Sequence, residues 1–417
     1  MKKDFIKKMK KGLGSAHIEL YQAEDKEAYK EALMYACLHD MSYSYVEESK
    51  GKYLYDLICV YQNKENFLKE IQNRLFTTKH ISVSLLCQYL DLLVCFYLEE
   101  KLHSIKDILW QYYRHLLSYG RWTDKKYLCF ECVCFAIDDV CGIDGVKKIF
   151  ADLISFDLDQ TNLANFIFSC VNIKYKGQID IHSNRKHHHR LHTGKNAPSF
   201  HEFLNIVKER KQAKQNVFHC LSIKDFEKAQ LYLQKTRDLK SIKENIKEIQ
   251  FSDDSFNQRY VEELFFKMIG KYDEEITEEI YFSLSRFKSK RVEELGLKLI
   301  ESKKTLCHGL LMLMQNYKIK YKKKIEEAYQ KVRFSFHYDR PSTQLLFRTI
   351  DFMDHTRKEY PDQILFYAYS HSYDSFHRKY IIECMIKRNL LTNELKEELF
   401  FDSNEAIQEF IQYVSLE

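Results

Sequence analysis

Only 3 prolines and 11 glycines occur among the 417 residues of this chain. That scarcity constrains the fold more than any other feature. Hairpins and the loops of parallel sheets need residues that reach positive φ or fix a turn, chiefly Gly, Asn and Pro. Helices joined by short polar turns need few of them. The chain therefore predicts an all-α protein. Its 45% of hydrophobic and 30% of charged residues supply a large core and exclude wholesale disorder. A globule of this length would split into two or three domains, whereas a helical solenoid grows by units that touch only their neighbours.

Helical periodicity recurs along the chain. Over 25–39, Ala28, Tyr29, Leu33, Met34, Ala36 and Cys37 fall at helical spacing with Lys and Glu between them. Similar segments lie near 45–62, 64–76, 82–100 and 103–119, and Thr123 is placed to cap a helix running to about Cys141, with another near 161–173. Residues 174–198 (KYKGQIDIHSNRKHHHRLHTGKNAP) carry no apolar period and read as an exposed loop or insertion. Ser199 to Glu202 has capping-box spacing, so a helix restarts there. Further helices follow near 200–220, 223–236, 239–249, 256–270, 274–286, 289–302, 306–316, 320–332, 341–357, 361–370, 376–388, 392–400 and 404–414. Short links make antiparallel neighbours, and many such pairs in series stack into an α-solenoid. The expected organisation is an N-terminal helical lobe over 1–173, the His- and Lys-rich loop over 174–198, and a C-terminal helical-repeat lobe over 199–417.

The most apolar stretch, Ile81 to Leu98, has the length of a membrane span, but Gln88 and Asp91 sit in its middle. Asp at a bilayer centre costs about 2.5–3.5 kcal/mol, so a buried helix is expected. The cysteines are scattered through apolar helical stretches and no secretory leader pattern opens the sequence, which points to a reducing cytoplasm. Lysine outnumbers arginine about threefold, a bias typical of AT-rich bacterial genomes, so lysine counts say little about binding. A net charge of +5 from 65 basic and 60 acidic residues gives no large field for steering nucleic acid.

Two segments resemble HEAT-type helix pairs. In SRFKSKRVEELGLKLIESKK (285–304), a polar turn precedes a helix expected to face Val292, Leu295, Leu297 and Ile300 inward. LLTNELKEELFFDSNEAIQEFIQYV (390–414) is similar, with Phe401-Asp-Ser403 opening its second helix as Phe287-Lys-Ser289 opens the first. The resemblance covers the C-terminal half and is architectural. It implies a curved surface that binds proteins or nucleic acids and has no chemistry of its own.

Several clusters are candidate sites. His187, His188, His189 and His192 could hold zinc, copper or nickel if the loop gave them fixed geometry. HEPN-type ribonucleases carry Arg and His a few residues apart on one helix; Arg74 with His80, Arg185 with His192 and Arg348 with His355 all fit, and only the last pair sits inside a convincing helical stretch. Cys129, Cys132, Cys134 and Cys141 share one predicted helix and read as core packing rather than a zinc site. His39, Tyr43, Glu47 and Lys50 would make a polar stripe if their helix ran through, the densest mixture of acid, base and phenol in the chain. Basic runs at the start (including Lys7, Lys8 and Lys11) and at 318–324 (including Lys320, Lys322, Lys323 and Lys324) could contact phosphates; the first, with Phe5, Ile6 and Met9 between its lysines, could instead lie on an anionic membrane. Arg333, His337, Asp339 and Arg340 form a polar turn that suits a structural salt bridge.

The expected function is a non-enzymatic scaffold that needs no cofactor and binds a partner protein. The first alternative is a nucleic-acid-binding HEAT-like protein of DNA repair or defence, by analogy with HEAT-like DNA glycosylases. The second is a HEPN-like or metal-dependent nuclease.

Overall fold

The computed structural model describes residues 2–41, 50–78, 81–118, 123–155, 174–175, 258–270, 274–335, 340–354 and 359–414. These form eighteen α-helices and, among the described residues, no strand. In chain order they are α1 (Lys2–Lys11), α2 (Ser15–Gln22), α3 (Glu27–Leu38), α4 (Lys50–Ile58), α5 (Glu65–Thr77), α6 (Val83–Glu100), α7 (Ser104–Ser118), α8 (Asp124–Ser155), α9 (Gln258–Met268), α10 (Glu274–Leu284), α11 (Lys290–Leu299), α12 (Leu306–Gln315), α13 (Lys322–Tyr329), α14 (Arg340–Asp354), α15 (Gln363–His371), α16 (Ser375–Lys387), α17 (Asn393–Leu399) and α18 (Glu405–Val414). The described residues divide into two compact units: those up to 175 together with 335 and 368–414, and those of 258–334 and 340–367. The helices expected at 161–173 and 200–249, and most of the 174–198 loop, lie outside the described residues.

In the first unit, α6 is the central element, packed on α4 and α8. Ser82 caps it, its Oγ accepting the Leu85 N–H at 3.1 Å. Gln88, one of the two polar residues that argued against a membrane span, has defined work here. The Gln88 amide nitrogen lies 3.0–3.2 Å from the carbonyls of Ala36, Cys37 and His39, and its oxygen accepts the Met41 N–H at 3.1 Å. The Tyr89 hydroxyl donates to the Leu38 carbonyl at 3.0 Å. The final turn of α3, whose carbonyls have no intrahelical partner, is thus completed by α6. Burial first, then the charges of Asp139 and Glu405, push the Asp91 carboxyl up to about 7. No described helix is long and apolar enough to cross a membrane.

Thr123 opens α8 as expected, its Oγ1 accepting the Lys126 N–H at 3.3 Å. The first leg ends near Cys141 because Gly142 adopts φ 61°, ψ −150°, which kinks the helix before a second leg continues to 155. Lys174 and Tyr175 both bond Asp138 of α8, at 2.8 and 2.6 Å. At the other end, α1 spends its apolar side on the core: Phe5 and Met9 are fully buried, so the expectation of a membrane-lying segment gives way to packing against α3.

The last helices complete this unit. Arg378 of α16 is fully buried and donates to Asp402 Oδ1 at 2.8 Å and to the Lys11 carbonyl. The Ser403 N–H donates to the Gly12 carbonyl at 2.8 Å. Gly12 has φ +73°, and a Cβ there would sit 1.8 Å from Ser403 Oγ, so both conformation and space require glycine. Lys50, also fully buried, donates to the Met9 carbonyl at 3.2 Å and to Ser403 Oγ at 3.4 Å. Ser403 was expected to open the final helix. Asn404 does so instead, its Oδ1 accepting the Ala406 N–H at 3.0 Å, while Ser403 serves the buried cluster.

In the second unit, α11 packs on α12, and α12 also packs on α10, α13 and α14. Ser289 caps α11, its Oγ accepting the Val292 N–H at 3.2 Å. Val292, Gly296, Leu299 and Ile300 are buried while Leu295 and Leu297 are half-buried, so the inward stripe runs at i, i+4, i+7 rather than through the two leucines expected. Gly296 and Gly309 let the two backbones approach: a Cβ on Gly309 would lie 2.7 Å from Ile300 N and 2.8 Å from the Gly296 carbonyl. These contacts make an all-α protein of stacked helices.

Candidate functional site

A groove of about 710 Å³ opens in the second unit, lined by the start of α11, the end of α12 and the last turns of α14. Its walls are held by side-chain amides. Asn316 Nδ2 donates to the carbonyls of Phe287 and Met312 at 2.9 and 3.0 Å. Gln315 Nε2 donates to the Arg286 carbonyl at 3.2 Å, and Gln315 Oε1 accepts from Arg348 Nη1 at 3.2 Å. Both amides follow from their place at the C-terminus of α12, where unpaired backbone and side-chain groups can bridge to a neighbouring turn.

Three aromatic rings form an apolar side. Phe352 and Tyr360 stack with centroids 4.2 Å apart, and Tyr317 meets them edge-on at 5.0 and 5.3 Å. The Tyr317 hydroxyl is fixed by the Glu359 carbonyl at 2.8 Å. Across from them, Glu293 receives Lys318 and Tyr321, and the Lys318 hydrogen bond first, then that of Tyr321, hold its carboxyl below the usual range. Lys288, Lys290, Asp351 and Asp354 project at the exposed rim. Desolvation first, then the nearby Arg348 and Arg340, pull the Arg286 guanidinium below its usual value. Arg340 itself is held by the buried Glu279 and lies over the Phe282 ring at 4.5 Å. It makes the structural salt bridge expected of its turn, with a partner from α10. The groove offers charges of both signs around an aromatic surface.

Of the predicted site residues this groove contains Arg348 and Lys318, the first residue of the basic run at 318–324; His355 lies outside the described residues. His39 is exposed at the end of α3, its ring stacked on Tyr35 at 3.9 Å and its Nδ1 donating to the Tyr35 carbonyl at 2.8 Å. The helix ends at Leu38, and His39 is extended (φ −127°, ψ 152°); Tyr43 and Glu47 lie outside the described residues. Lys50, the last member of the expected polar stripe, is in the buried cluster. His187, His188, His189 and His192 also lie outside the described residues.

The basic runs are partly neutralised. Lys7 pairs with Asp4 at 3.2 Å and Lys8 with Glu19 at 2.7 Å. Lys11 donates to the Ser370 carbonyl at 2.8 Å, and burial first, then Arg378 and Lys7, bring it down to about 8. Lys320 lies 3.9 Å from Glu293, and Lys323 lies 3.9 Å from Glu327 on α13. Lys322 and Lys324 lie on the same helix, Lys324 exposed. Cys129 and Cys134 are buried in the core, as expected, whereas Cys132 and Cys141 are half-buried.

Sequence reasoning missed the aromatic trio, because Tyr317, Phe352 and Tyr360 are far apart in sequence. It also missed the Arg378 cluster, although a signal existed: Arg378 occupies the same helical stripe as Ile381, Ile382 and Met385, all buried.

Compared with known proteins, this all-α architecture finds no assignment. No protein-family profile matches the chain, and no curated protein matches it. Among solved structures, the crystal structure of an engineered protein matches over 99% of this chain and 98% of its own, at 13% identity and a TM-score of 0.19. At that TM-score the match assigns neither fold nor family.

Proposed function

We propose that this protein is a non-enzymatic scaffold, an α-solenoid of stacked helix pairs, that docks a partner protein in the groove between α11, α12 and α14. The observation that carries this reading is the groove's composition. Lysines and aspartates share one rim beside the Tyr317–Phe352–Tyr360 cluster. Aromatic anchors with mixed charge at the edge suit a protein segment. A phosphate backbone would be repelled by Asp351 and Asp354 on that same rim.

The nucleic-acid reading has one observation in its favour: Arg286, Lys288 and Lys290 are exposed at alternate positions with Lys318 and Arg348 nearby. Fluorescence anisotropy with labelled single- and double-stranded DNA and RNA separates the two. The scaffold reading expects no binding tighter than micromolar near physiological salt, and a co-purifying protein that is lost from K290E and D351K. Tight binding whose log–log salt slope is near one per neutralised phosphate would establish the nucleic-acid reading instead. The HEPN-like form of the nuclease alternative rests on Arg348 with His355, and its metal-dependent form on His187, His188, His189 and His192; RNA cleavage that disappears in R348A would support the first.

A further inference from the structure

Cys87 of α6 and Cys132 of α8 bring their sulfur atoms to 2.9 Å, although 45 residues separate them in sequence. Both side chains are half-buried, so each keeps part of its surface open to solvent. Their neighbours in sequence fix the two backbones: Leu86 and Gln88 flank Cys87, Glu131 and Val133 flank Cys132, and all four are buried. The helices therefore hold the sulfurs opposed. A disulfide requires about 2.05 Å between sulfurs, so closing the gap takes about 0.9 Å, within reach of side-chain rotation.

We propose that Cys87 and Cys132 form a reversible dithiol–disulfide site that staples α6 to α8 when it meets a low-molecular-weight disulfide such as oxidised glutathione. This is independent of the groove and of the scaffold reading. The Cys132 thiolate attacks one sulfur of the oxidant, and the departing thiolate takes up the proton that Cys132 gave up. Cys132 is then a mixed disulfide. Cys87 next loses its proton and attacks the Cys132 sulfur, expelling the second small thiol, which takes that proton. Two protein thiols are oxidised and one small disulfide is reduced to two thiols.

The two thiols can exchange these roles without changing the product. The hydrogen bond with Cys132 first, then burial, push the Cys87 thiol far above the ordinary range. The first of these causes disappears once Cys132 is in the mixed disulfide. Cys129, one turn before Cys132 on α8 and buried, is the competing thiol.

The test uses the full chain in buffers of graded oxidised-to-reduced glutathione ratio, read by peptide mapping in a mass spectrometer and by thermal melting. The expected product is a peptide pair linked through Cys87 and Cys132, reversed by dithiothreitol. Closing that loop should raise the melting temperature of the unit by roughly 5–10 °C. C87S and C132S should each lose both the link and the rise. The mapping of the unsubstituted protein stands on its own if either variant fails to fold. A persistent glutathione adduct on either cysteine, a Cys87–Cys129 link, or no link at all would overturn the proposal. So would a linked protein whose melting temperature is unchanged.

Discussion

His308 lies in α12 with 1% of its surface exposed, its ring edge-on to Phe282 at 4.6 Å. Burial first, then the charge of Arg340, bring its pKa from 6.5 down to about 4. The unfolded chain therefore takes up a proton before the folded one does. The stability held by neutral His308 is fully present above about 6.5 and is lost as pH falls toward 4. At pH 5 the expected loss is about 2 kcal/mol, and H308F should flatten that part of a denaturation-versus-pH curve. His17, brought down to about 3 mainly by burial, acts with the same sign in the first unit. Arg378 and Asp402 make the opposite kind of buried polar site, a pair whose charges need each other. R378M alone should cost about 3–5 kcal/mol, since it strands the carboxylate, while R378M/D402L should recover part of that loss in urea unfolding. A double variant no more stable than the worse single one would mean the pair does not act as a unit.

Helix joints set the next scale. Gln88 serves three carbonyls and one N–H at the end of α3. Q88L keeps the volume and removes all four partners, so it should cost about 3 kcal/mol or more, with the fastest gain in amide exchange at the end of α3. A Q88L protein as stable as the parent would show that water reaches those carbonyls. In the second unit, G309V inserts side-chain atoms where Ile300 and the Gly296 carbonyl already touch. Overpacking should exceed any gain in helix propensity and cost about 1–3 kcal/mol. The elements themselves were legible in sequence: α10 through α18 begin and end within a few residues of the periodic segments, and Thr123 and Ser289 cap where their side chains predicted. Which helices meet was not legible, because a stripe of Leu and Ile states that a face is buried without naming its partner.

Across the whole chain, α16–α18 share a compact unit with α1–α8. A fragment ending at residue 198 therefore lacks the groups that cover Gly12, Lys50 and His17. It should melt below the corresponding unit of the full chain and bind a hydrophobic dye, and adding residues 368–417 in trans should reverse both. An equal melting temperature for the fragment would show that the terminal helices add no stability to the unit.

The sequence by itself determined the class of fold. Few glycines and prolines, a 3.6-residue apolar period and local capping residues are all short-range signals, and helices form from short-range hydrogen bonds. It also ruled out a membrane span at 81–98, because Gln88 and Asp91 break the apolar run. Only the tertiary structure decided which residues converge: Arg378 with Asp402 and Lys11, Cys87 with Cys132, and Tyr317 with Phe352 and Tyr360. Each of those sets joins different helices or the turns between them, and packing between elements depends on shape and burial that no local pattern encodes. The groove is likewise a product of where α11 begins and α12 and α14 end, and of its lining only Arg348 and Lys318, the first residue of the basic run at 318–324, belonged to candidate sites in the sequence.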